Sequence, residues 1–256
     1  MQKKILVLGG GFASNAYHAG VLKALEDNNI KFDCIAASSM ASIAAALYAA
    51  GKSPRDIMMC ILDIKRSDIF SIMEFISAGK DISTGKKLMD KIKKHLQVSD
   101  FSKLIIPLTL TALDLKTKKE VILDNGNLPK ALNSAIAFGP VFKEVEHKGK
   151  LLIDAGFINP LPIDLADRDQ LIIGAKITEK HKPIKRLNLL SMYKATITIH
   201  CNSFYNLKVD ANPPDVLIDS ESETYTDWMF NRKKLISLYK EGEKRALSMI
   251  EKIKAE

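Results

Sequence analysis

The sequence is poor in the residues that cross-link or metallate small domains. Its three cysteines, Cys34, Cys60 and Cys201, are far apart and form no C-x-x-C pair. An odd number of isolated cysteines predicts neither a disulfide framework nor a zinc site. We therefore expect reduced, mostly buried thiols, as in a cytoplasmic protein.

Long hydrophobic runs are also lacking. The apolar run at residues 5–8 is shorter than the hydrophobic core of a secretory signal, and glycines follow it at once. No run reaches the roughly 20 residues that a membrane-spanning helix needs. We expect a cytoplasmic protein, and peripheral contact with a membrane is the membrane role that stays open.

Charge of both signs is present, with an excess of positive charge. The chain has 38 Lys and Arg residues against 30 Asp and Glu residues, a formal net charge of +8. A positive field favours anionic membrane surfaces or nucleic acids, although a lysine-rich solvated surface is the simpler explanation. Because no arginine cluster or aromatic-interleaved basic stretch is present, we expect no nucleic-acid partner.

The hydrophobic pattern predicts an α/β fold. The 256 residues are 46% hydrophobic, which is enough for a sizeable core. Residues 5–8 and 171–177 are continuous apolar runs, typical of strands buried on both faces. The first 50 residues alternate strand, helix, strand and helix, which implies parallel pairing. We expect a mostly parallel central sheet flanked by helices.

The C-terminal part is less regular. We expect one domain over residues 1–256, with a core at about 1–180 and an extension at 181–256. A basic linker at 180–185 starts the extension, and a long amphipathic helix from Trp228 to Ile253 ends it. The apolar stretch Ile69–Ile76 leaves two interpretations open, a lipid-contacting lid and part of the core.

A glycine loop, Gly9-Gly10-Gly11, separates the first predicted strand from the first helix. Such glycines let backbone N–H groups point at an anion near a helix N-terminus. A plain tight turn and a nucleotide-binding loop are the alternatives. The second strand ends in Ala36-Ala37-Ser38, without the acidic residue that a dinucleotide fold uses for the ribose. This argues against a nicotinamide cofactor and ranks nucleotide binding last among the three interpretations, and we expect no cofactor.

Two further positions suit catalysis. Ser39 follows the second predicted strand and precedes a helix, with the small residues Ala37 and Ala41 on either side. This arrangement is typical of a nucleophile elbow, although a serine that caps a helix is the alternative. Asp154 follows another predicted strand directly, where open α/β sheets place their sites. A turn-forming aspartate is the alternative there.

The three motifs together resemble the patatin-like phospholipase family of the bacterial type. That family combines a glycine-rich oxyanion loop, a G-x-S-x-G elbow and a later Asp-Gly-Gly or Asp-Gly-Ala motif. This chain has GGGFASNAYHAG, then AASSMAS, then LLIDAG, and the resemblance extends over roughly residues 1–180. It implies a lipid acyl hydrolase with a serine–aspartate dyad, in which Ser39 is the nucleophile and Asp154 its base.

The resemblance implies further parts of the site. Backbone N–H groups of Gly9, Gly10 and Gly11 would form an oxyanion hole, and the substrate would be a lipid or another acyl ester. Neither a metal nor a cofactor is implied. His181 and His200 follow Asp154 in the sequence, so a catalytic histidine is formally possible, but their sequence surroundings do not favour it.

Five departures from the family pattern leave a second function open. Ala37 and Ala41 replace the elbow glycines, and Ala155 replaces the glycine after the base. Ser14 stands where the family often has Lys or Arg, and Asn15 replaces a glycine. Because asparagine tolerates a left-handed backbone, we expect the turn to survive. The alternative function is a catalytically weakened patatin-like protein that binds lipid or regulates.

Overall fold

The structure is a computed structural model, and the residues that it describes are 2–11, 13–69, 83–139, 141–179, 188–222 and 230–256. Their strands are β1 (Lys4–Leu8), β2 (Cys34–Ala37), β3 (Leu108–Asp114), β4 (Lys119–Leu123), β5 (Val145–His147), β6 (Lys150–Asp154), β7 (Leu171–Glu179) and β8 (Val216–Ser222). Their α-helices are α1 (Ser14–Asp27), α2 (Ser42–Ala49), α3 (Pro54–Asp63), α4 (Arg66–Ile69), α5 (Lys86–Leu96), α6 (Leu128–Ala135), α7 (Leu189–Ala211), α8 (Arg232–Leu247) and α9 (Ile250–Ala255).

The described strands form one sheet in the order β5-β6-β3-β2-β1-β7-β8, and β4 also pairs with β3. The pairs that join β3, β2, β1, β7 and β8 are parallel. Strands β4, β5 and β6 pair in the antiparallel direction. Parallel strands are buried on both faces, and Leu6, Val7, Ile35 and Ile173 are fully buried. The prediction of a mostly parallel central sheet is confirmed.

The register along β3 brings the ends of β2 and β6 together. Leu110 and Ala112 of β3 both pair with β4 on one side. Because a strand residue has one neighbour on each side, the other side is occupied by Ala37 of β2 at Leu110 and by Asp154 of β6 at Ala112. Strand β2 is parallel to β3 and β6 is antiparallel, so their carboxyl ends face each other.

The last long helix, α8, packs on α1 through a close backbone contact. A Cβ added to Gly20 would lie 1.8 Å from the carbonyl oxygen of Tyr239, and one added to Gly242 would lie 2.0 Å from that of Tyr17. The Tyr17 hydroxyl also donates to the carbonyl of Ile218 in β8. These contacts join the C-terminal part to the first helix and to the sheet, and the division into a core and an extension stays a prediction.

Helix α7 was not predicted. It contains the run 196–199, Thr-Ile-Thr-Ile, whose β-branched side chains favour strands over helices. The helix begins with a capping box, in which the side chains of Asn188 and Ser191 each accept a hydrogen bond of 2.9 Å from the other residue's N–H. Such a cap provides hydrogen-bond acceptors for backbone N–H groups that, in a strand, would pair with a neighbouring strand.

The predicted C-terminal helix is divided in two. Helix α8 ends at Leu247 and α9 begins at Ile250. The hydroxyl of Ser248 donates to the carbonyl of Arg245 at 2.7 Å, which is a local alternative to continued helix. The apolar face was predicted correctly, because Ala246, Ile250 and Ile253 are buried.

Several predicted features fall outside the described residues. They are the basic linker at 180–185, Trp228 and all but the first residue of the apolar stretch Ile69–Ile76. Ile69 itself is buried at the end of α4. Within the described residues, no helix combines the length and the apolar character needed to cross a membrane.

Candidate active site

Ser39 stands at a sharp turn between β2 and α2. Its φ angle is 56°, in the left-handed region that residues other than glycine rarely adopt. Ser38 before it is extended, and a 3-10 turn at Ser39–Ala41 leads directly into α2. This strained strand–turn–helix is the geometry of a nucleophile elbow. Ser39 is 8% exposed, so it lies just below the surface.

The hydroxyl of Ser39 donates to the carboxylate of Asp154. The distance from Ser39 Oγ to Asp154 Oδ2 is 2.5 Å. The second oxygen, Asp154 Oδ1, accepts the N–H of Gly156 at 2.7 Å, and Asp154 is fully buried. The structure therefore brings together the two residues proposed from sequence, at the point where β2 and β6 converge.

Burial changes the proton affinity of Asp154. Removal from water raises the pKa of Asp154 from its ordinary value of 3.8 to about 7, against the opposing effect of the hydrogen bonds from Ser39 and Gly156. An efficient general base has a pKa near the working pH. Asp154 is therefore a much stronger base than an exposed aspartate.

Two glycines allow neighbouring loops to touch Ser39. A Cβ at Gly10 would lie 2.7 Å from the Cβ of Ser39, and one at Gly156 would lie 3.1 Å from the same atom. Both distances are shorter than the optimal carbon–carbon separation of about 3.5–4.0 Å. Ala37 and Ala41 are fully buried, so the elbow accommodates the two Cβ atoms that the family's glycines lack.

The amides of the glycine loop are only partly open to a substrate. The Gly9 N–H donates to the carbonyl of Ala175 and the Gly10 N–H to that of Pro160, each at 2.9 Å. Because the Gly9 and Gly10 N–H groups already donate to these carbonyls, they do not suit the predicted role of oxyanion donors. Of the three predicted donors, the Gly11 N–H is the one that remains. The Gly11 N–H has no backbone acceptor among the described residues, and the φ angle of Gly11 is 123°. The oxyanion hole itself stays a prediction.

Each carbonyl group of this loop has a buried side chain as its hydrogen-bond donor. His18 Nε2 lies 2.8 Å from the Gly9 carbonyl oxygen. Lys176 Nζ donates to the Gly10 carbonyl at 3.4 Å, and Ser14 Oγ donates to the Gly11 carbonyl at 2.6 Å. Burial lowers the pKa of His18 to about 4, so its imidazole is neutral and Nε2 carries the proton that it donates.

Lys176 was missed in the sequence. It lies on β7 within the run LIIGAKI and is 5% exposed. A lysine inside an otherwise apolar strand is unusual, because charged side chains are almost never fully buried unless paired. That pattern was the signal that could have identified it.

Asn15 joins the first helix to the elbow. Its side-chain amide donates to the carbonyl of Met40, and its side-chain oxygen accepts the N–H of Ala44, both at 3.0 Å. Asn15 is buried in the first turn of α1. We expected the turn to survive because asparagine tolerates a left-handed backbone, and that reason was wrong. Asn15 has a helical backbone, and the two hydrogen bonds of its side chain are what suit it to this position.

We expect Asn15→Ala to lower the free energy of unfolding by about 1–3 kcal/mol, because it removes two buried side-chain hydrogen bonds, one to the Met40 carbonyl and one from the Ala44 N–H. Asn28→Ala is a matched control, since the side chain of Asn28 donates one hydrogen bond of 2.9 Å to the carbonyl of Ala24 near the end of the same helix. Urea unfolding measures both. A loss for Asn15→Ala no greater than that for Asn28→Ala would contradict the bridging role.

His200, one of the two histidines weighed as alternatives, does not join the pair. His200 Nε2 lies 2.7 Å from the backbone carbonyl of Phe157, which gives His200 a structural partner. His181 falls outside the described residues. Among the residues that are described, no group of His, Cys, Asp and Glu side chains is arranged to hold a metal ion.

The model of the patatin-like phospholipase family matches residues 6–167, a range that contains the glycine loop, Ser39 and Asp154. The chain belongs to the patatin-like phospholipase family. The resemblance seen in the sequence is thereby confirmed. In this patatin-like chain, the serine contacts both the aspartate and the glycine loop.

Known relatives of this patatin-like chain are longer than it is. It is 29% identical over 158 residues to an NTE family protein of Mycobacterium tuberculosis, covering 62% of this chain and 44% of that protein. It is 26% identical over 166 residues to patatin-like phospholipase domain-containing protein 6 of Homo sapiens, covering 63% and 12%. The chain therefore spans less than half the length of these relatives.

A solved structure shares the patatin-like fold described above. VipD from Legionella pneumophila superimposes with a TM-score of 0.56 and 13% sequence identity, covering 98% of this chain and 67% of VipD. At this identity the similarity shows the fold alone. It does, however, extend beyond the family match into the C-terminal part.

Proposed function

We propose that this chain is a lipid acyl hydrolase with Ser39 as nucleophile and Asp154 as general base. The observation that carries the proposal is the 2.5 Å hydrogen bond from Ser39 Oγ to Asp154 Oδ2. The left-handed backbone of Ser39 and the raised pKa of Asp154 support it. Family membership supports the general reaction class.

The first half of the reaction is transfer of the acyl group to the enzyme. Asp154 takes the proton of Ser39 as Ser39 Oγ forms a bond to the ester carbonyl carbon. The carbonyl π electrons move to oxygen, and in this proposal the Gly11 N–H stabilises the resulting oxyanion. When the carbonyl re-forms, the bond to the leaving alkoxide breaks. The alkoxide takes the proton from Asp154, and the acyl group stays on Ser39.

The second half releases the acid. Asp154 is again ionised. It accepts a proton from a water molecule as the oxygen of that water attacks the acyl carbon. The second tetrahedral intermediate collapses with cleavage of the bond to Ser39 Oγ, which recovers the proton from Asp154. A base whose pKa is about 7 can both accept and return the proton near neutral pH.

The surroundings of the pair favour an acyl chain as part of the substrate. The rings of Phe138 and Phe157 stack with their centroids 4.7 Å apart. Phe157 follows Gly156, and Phe138 follows Ala137, whose carbonyl accepts the Asp154 N–H. Stacked aromatic rings next to the base form an apolar surface. We infer an ester of a glycerolipid or lysophospholipid as the substrate class.

A fluorophosphonate probe and an ester assay test this proposal. We expect the wild type to label and to hydrolyse both a short acyl ester and a phospholipid, and Ser39→Ala to do neither. Ser42→Ala is a matched control three residues away, since the buried Ser42 hydroxyl has no hydrogen-bond partner among the described residues. It should label like the wild type. Labelling or hydrolysis that survives in Ser39→Ala would overturn the assignment.

A catalytically weakened lipid-binding protein is the second candidate function. The observation that favours it is the engagement of the Gly9 and Gly10 amides with Ala175 and Pro160, because fewer donors then remain for an oxyanion. This candidate predicts binding to lipid vesicles without fluorophosphonate labelling. The same experiment therefore separates the two functions.

A further inference from the structure

Lys176 is a buried cation that the proposed reaction does not use. It is 5% exposed, and no carboxylate of the described residues forms an ion pair with it. An unpaired buried charge costs stability. A lysine at this position therefore needs an explanation other than stabilisation of the fold.

Contacts along its whole length hold the Lys176 side chain against the glycine loop. The stem packs on Gly9, where an added Cβ would lie 2.7 Å from Lys176 Cδ. The ammonium lies 5.5 Å from the centroid of the Tyr205 ring. Its Nζ also donates a long hydrogen bond of 3.4 Å to the carbonyl of Gly10. The charge is therefore fixed at one end of the Gly10–Gly11 peptide.

The other end of that peptide faces the opposite way. The Gly10 carbonyl and the Gly11 N–H belong to one planar trans unit, so they point in opposite directions. A cation at the carbonyl oxygen fixes the plane and polarises the unit, which makes its N–H a stronger donor. This N–H is the amide to which the oxyanion prediction was narrowed.

We propose that protonated Lys176 is a positioning residue for the oxyanion hole, which it organises through the Gly10–Gly11 peptide. This inference rests on the proposed function. Lys176 acts through the glycine loop and not on the substrate, so its contribution should appear in kcat and leave KM nearly unchanged. The positive charge of the side chain, and not only its volume, is the required property.

The pH dependence follows from the groups around Lys176. His18 of α1 is neutral, and burial raises the pKa of Cys201 and of Tyr205 in α7, so these two are also neutral near pH 7. Asp219, the neighbour of Lys176 in β8, pairs with an arginine of α8. Burial lowers the pKa of Lys176 to about 8. We expect kcat to rise as Asp154 ionises and to fall as Lys176 loses its proton.

The test compares Lys176→Met and Lys176→Arg with the wild type, using kcat and KM for a soluble acyl ester as a function of pH. Lys176→Met keeps the stem and removes the charge. We expect its kcat to fall about 10- to 100-fold, with the alkaline limb of the profile gone and the acid limb kept. Arginine stays protonated, so Lys176→Arg should keep more activity than Lys176→Met. Its alkaline limb should lie above the pH range of the measurement.

Stability separates this role from a structural one. Because Lys176→Met removes a buried charge, we expect it to unfold at a urea concentration no lower than the wild type. Lys23→Met, on the exposed part of α1, is the control for charge removal elsewhere and should leave kcat unchanged. Wild-type kcat with an intact alkaline limb in Lys176→Met would overturn the inference, and so would an activity loss that follows a stability loss.

The proposed function can fail separately. In that case the wild type neither labels with the fluorophosphonate nor hydrolyses the ester, and the inference falls with it. If only the inference fails, the wild type is active and depends on Ser39, and Lys176→Met is equally active. The labelling rate gives the same comparison if turnover is slow, because attack of Ser39 on the probe also places an oxygen at the predicted hole.

Discussion

Asp154→Asn is expected to lower kcat about 10³- to 10⁴-fold and to make the protein more stable above pH 7. The side chain keeps its shape, so its oxygen can still accept the N–H of Gly156, as Asp154 Oδ1 does at 2.7 Å. The NH₂ group of the asparagine then faces Ser39 Oγ and can donate a hydrogen bond to it. No base is left to take the proton of the Ser39 hydroxyl. The hydrogen bonds survive, and general-base catalysis is lost.

The gain in stability follows from the raised pKa of Asp154. A shift from 3.8 to about 7 corresponds to a penalty on the buried carboxylate of about 4 kcal/mol. Below about pH 4 the carboxyl is protonated in both the folded and the unfolded chain, and no penalty applies. As the pH rises toward 7 the unfolded chain binds fewer protons than the folded one, so wild-type stability falls. Asparagine has no such dependence.

Urea unfolding of both proteins at about pH 5 and pH 8 measures this effect. The advantage of Asp154→Asn should be larger at pH 8, while ester hydrolysis at pH 8 shows the loss of kcat. Asp68→Asn is a control, because the pKa of Asp68 is lowered in the folded protein and it pairs with Lys91 at 2.9 Å. Its effect on stability should have the opposite sign. An Asp154→Asn advantage that does not grow with pH would refute the argument.

Gly242→Ala and Gly20→Ala are expected to destabilise the protein by about 3 kcal/mol or more. Each added Cβ would lie within 2.0 Å of a backbone carbonyl oxygen in the facing helix. Backbone atoms in a helix cannot rotate away as a side chain does, so α1 and α8 must separate. Separation would expose the buried residues Val21, Leu235 and Leu238 on the two helices.

Thermal or urea unfolding of the single and double variants tests this contact. Because both glycines serve one interface, the double variant should cost less than the sum of the two single changes. Gly139→Ala is the control, since an added Cβ there meets no described atom within 4 Å. Single variants that unfold like Gly139→Ala would show that the two helices are not in this contact.

The three motifs of the site could be predicted because each one consists of consecutive residues. The glycine loop, the elbow serine and the strand-end aspartate all have recognisable neighbours in the sequence. Their meeting was inferred from family resemblance alone. Its physical cause is the register along β3, where Ala37 and Asp154 pair with Leu110 and Ala112, and no short stretch of sequence encodes that register.

Contacts between distant segments were the parts that sequence reasoning missed. The Gly10 amide is occupied by Pro160 and the Gly10 carbonyl by Lys176, and both partners come from more than 140 positions further along the chain. Helix α7 was missed for the opposite reason, because its β-branched residues gave a local signal that the capping box and packing overrode.

The head-on meeting of β2 and β6 has a consequence for when the hydroxyl can react. Asp154 ends the β5–β6 hairpin, which among the described strands pairs with the rest of the sheet along β3 alone. A hairpin is also among the smaller units that can detach from a sheet without global unfolding. Ser39 would then lose its proton acceptor while the parallel strands stay paired. Nascent chains that have not yet made β6 would contain the same unactivated serine. In the proposed reaction, Ser39 therefore becomes a nucleophile only after this later segment has docked on β3.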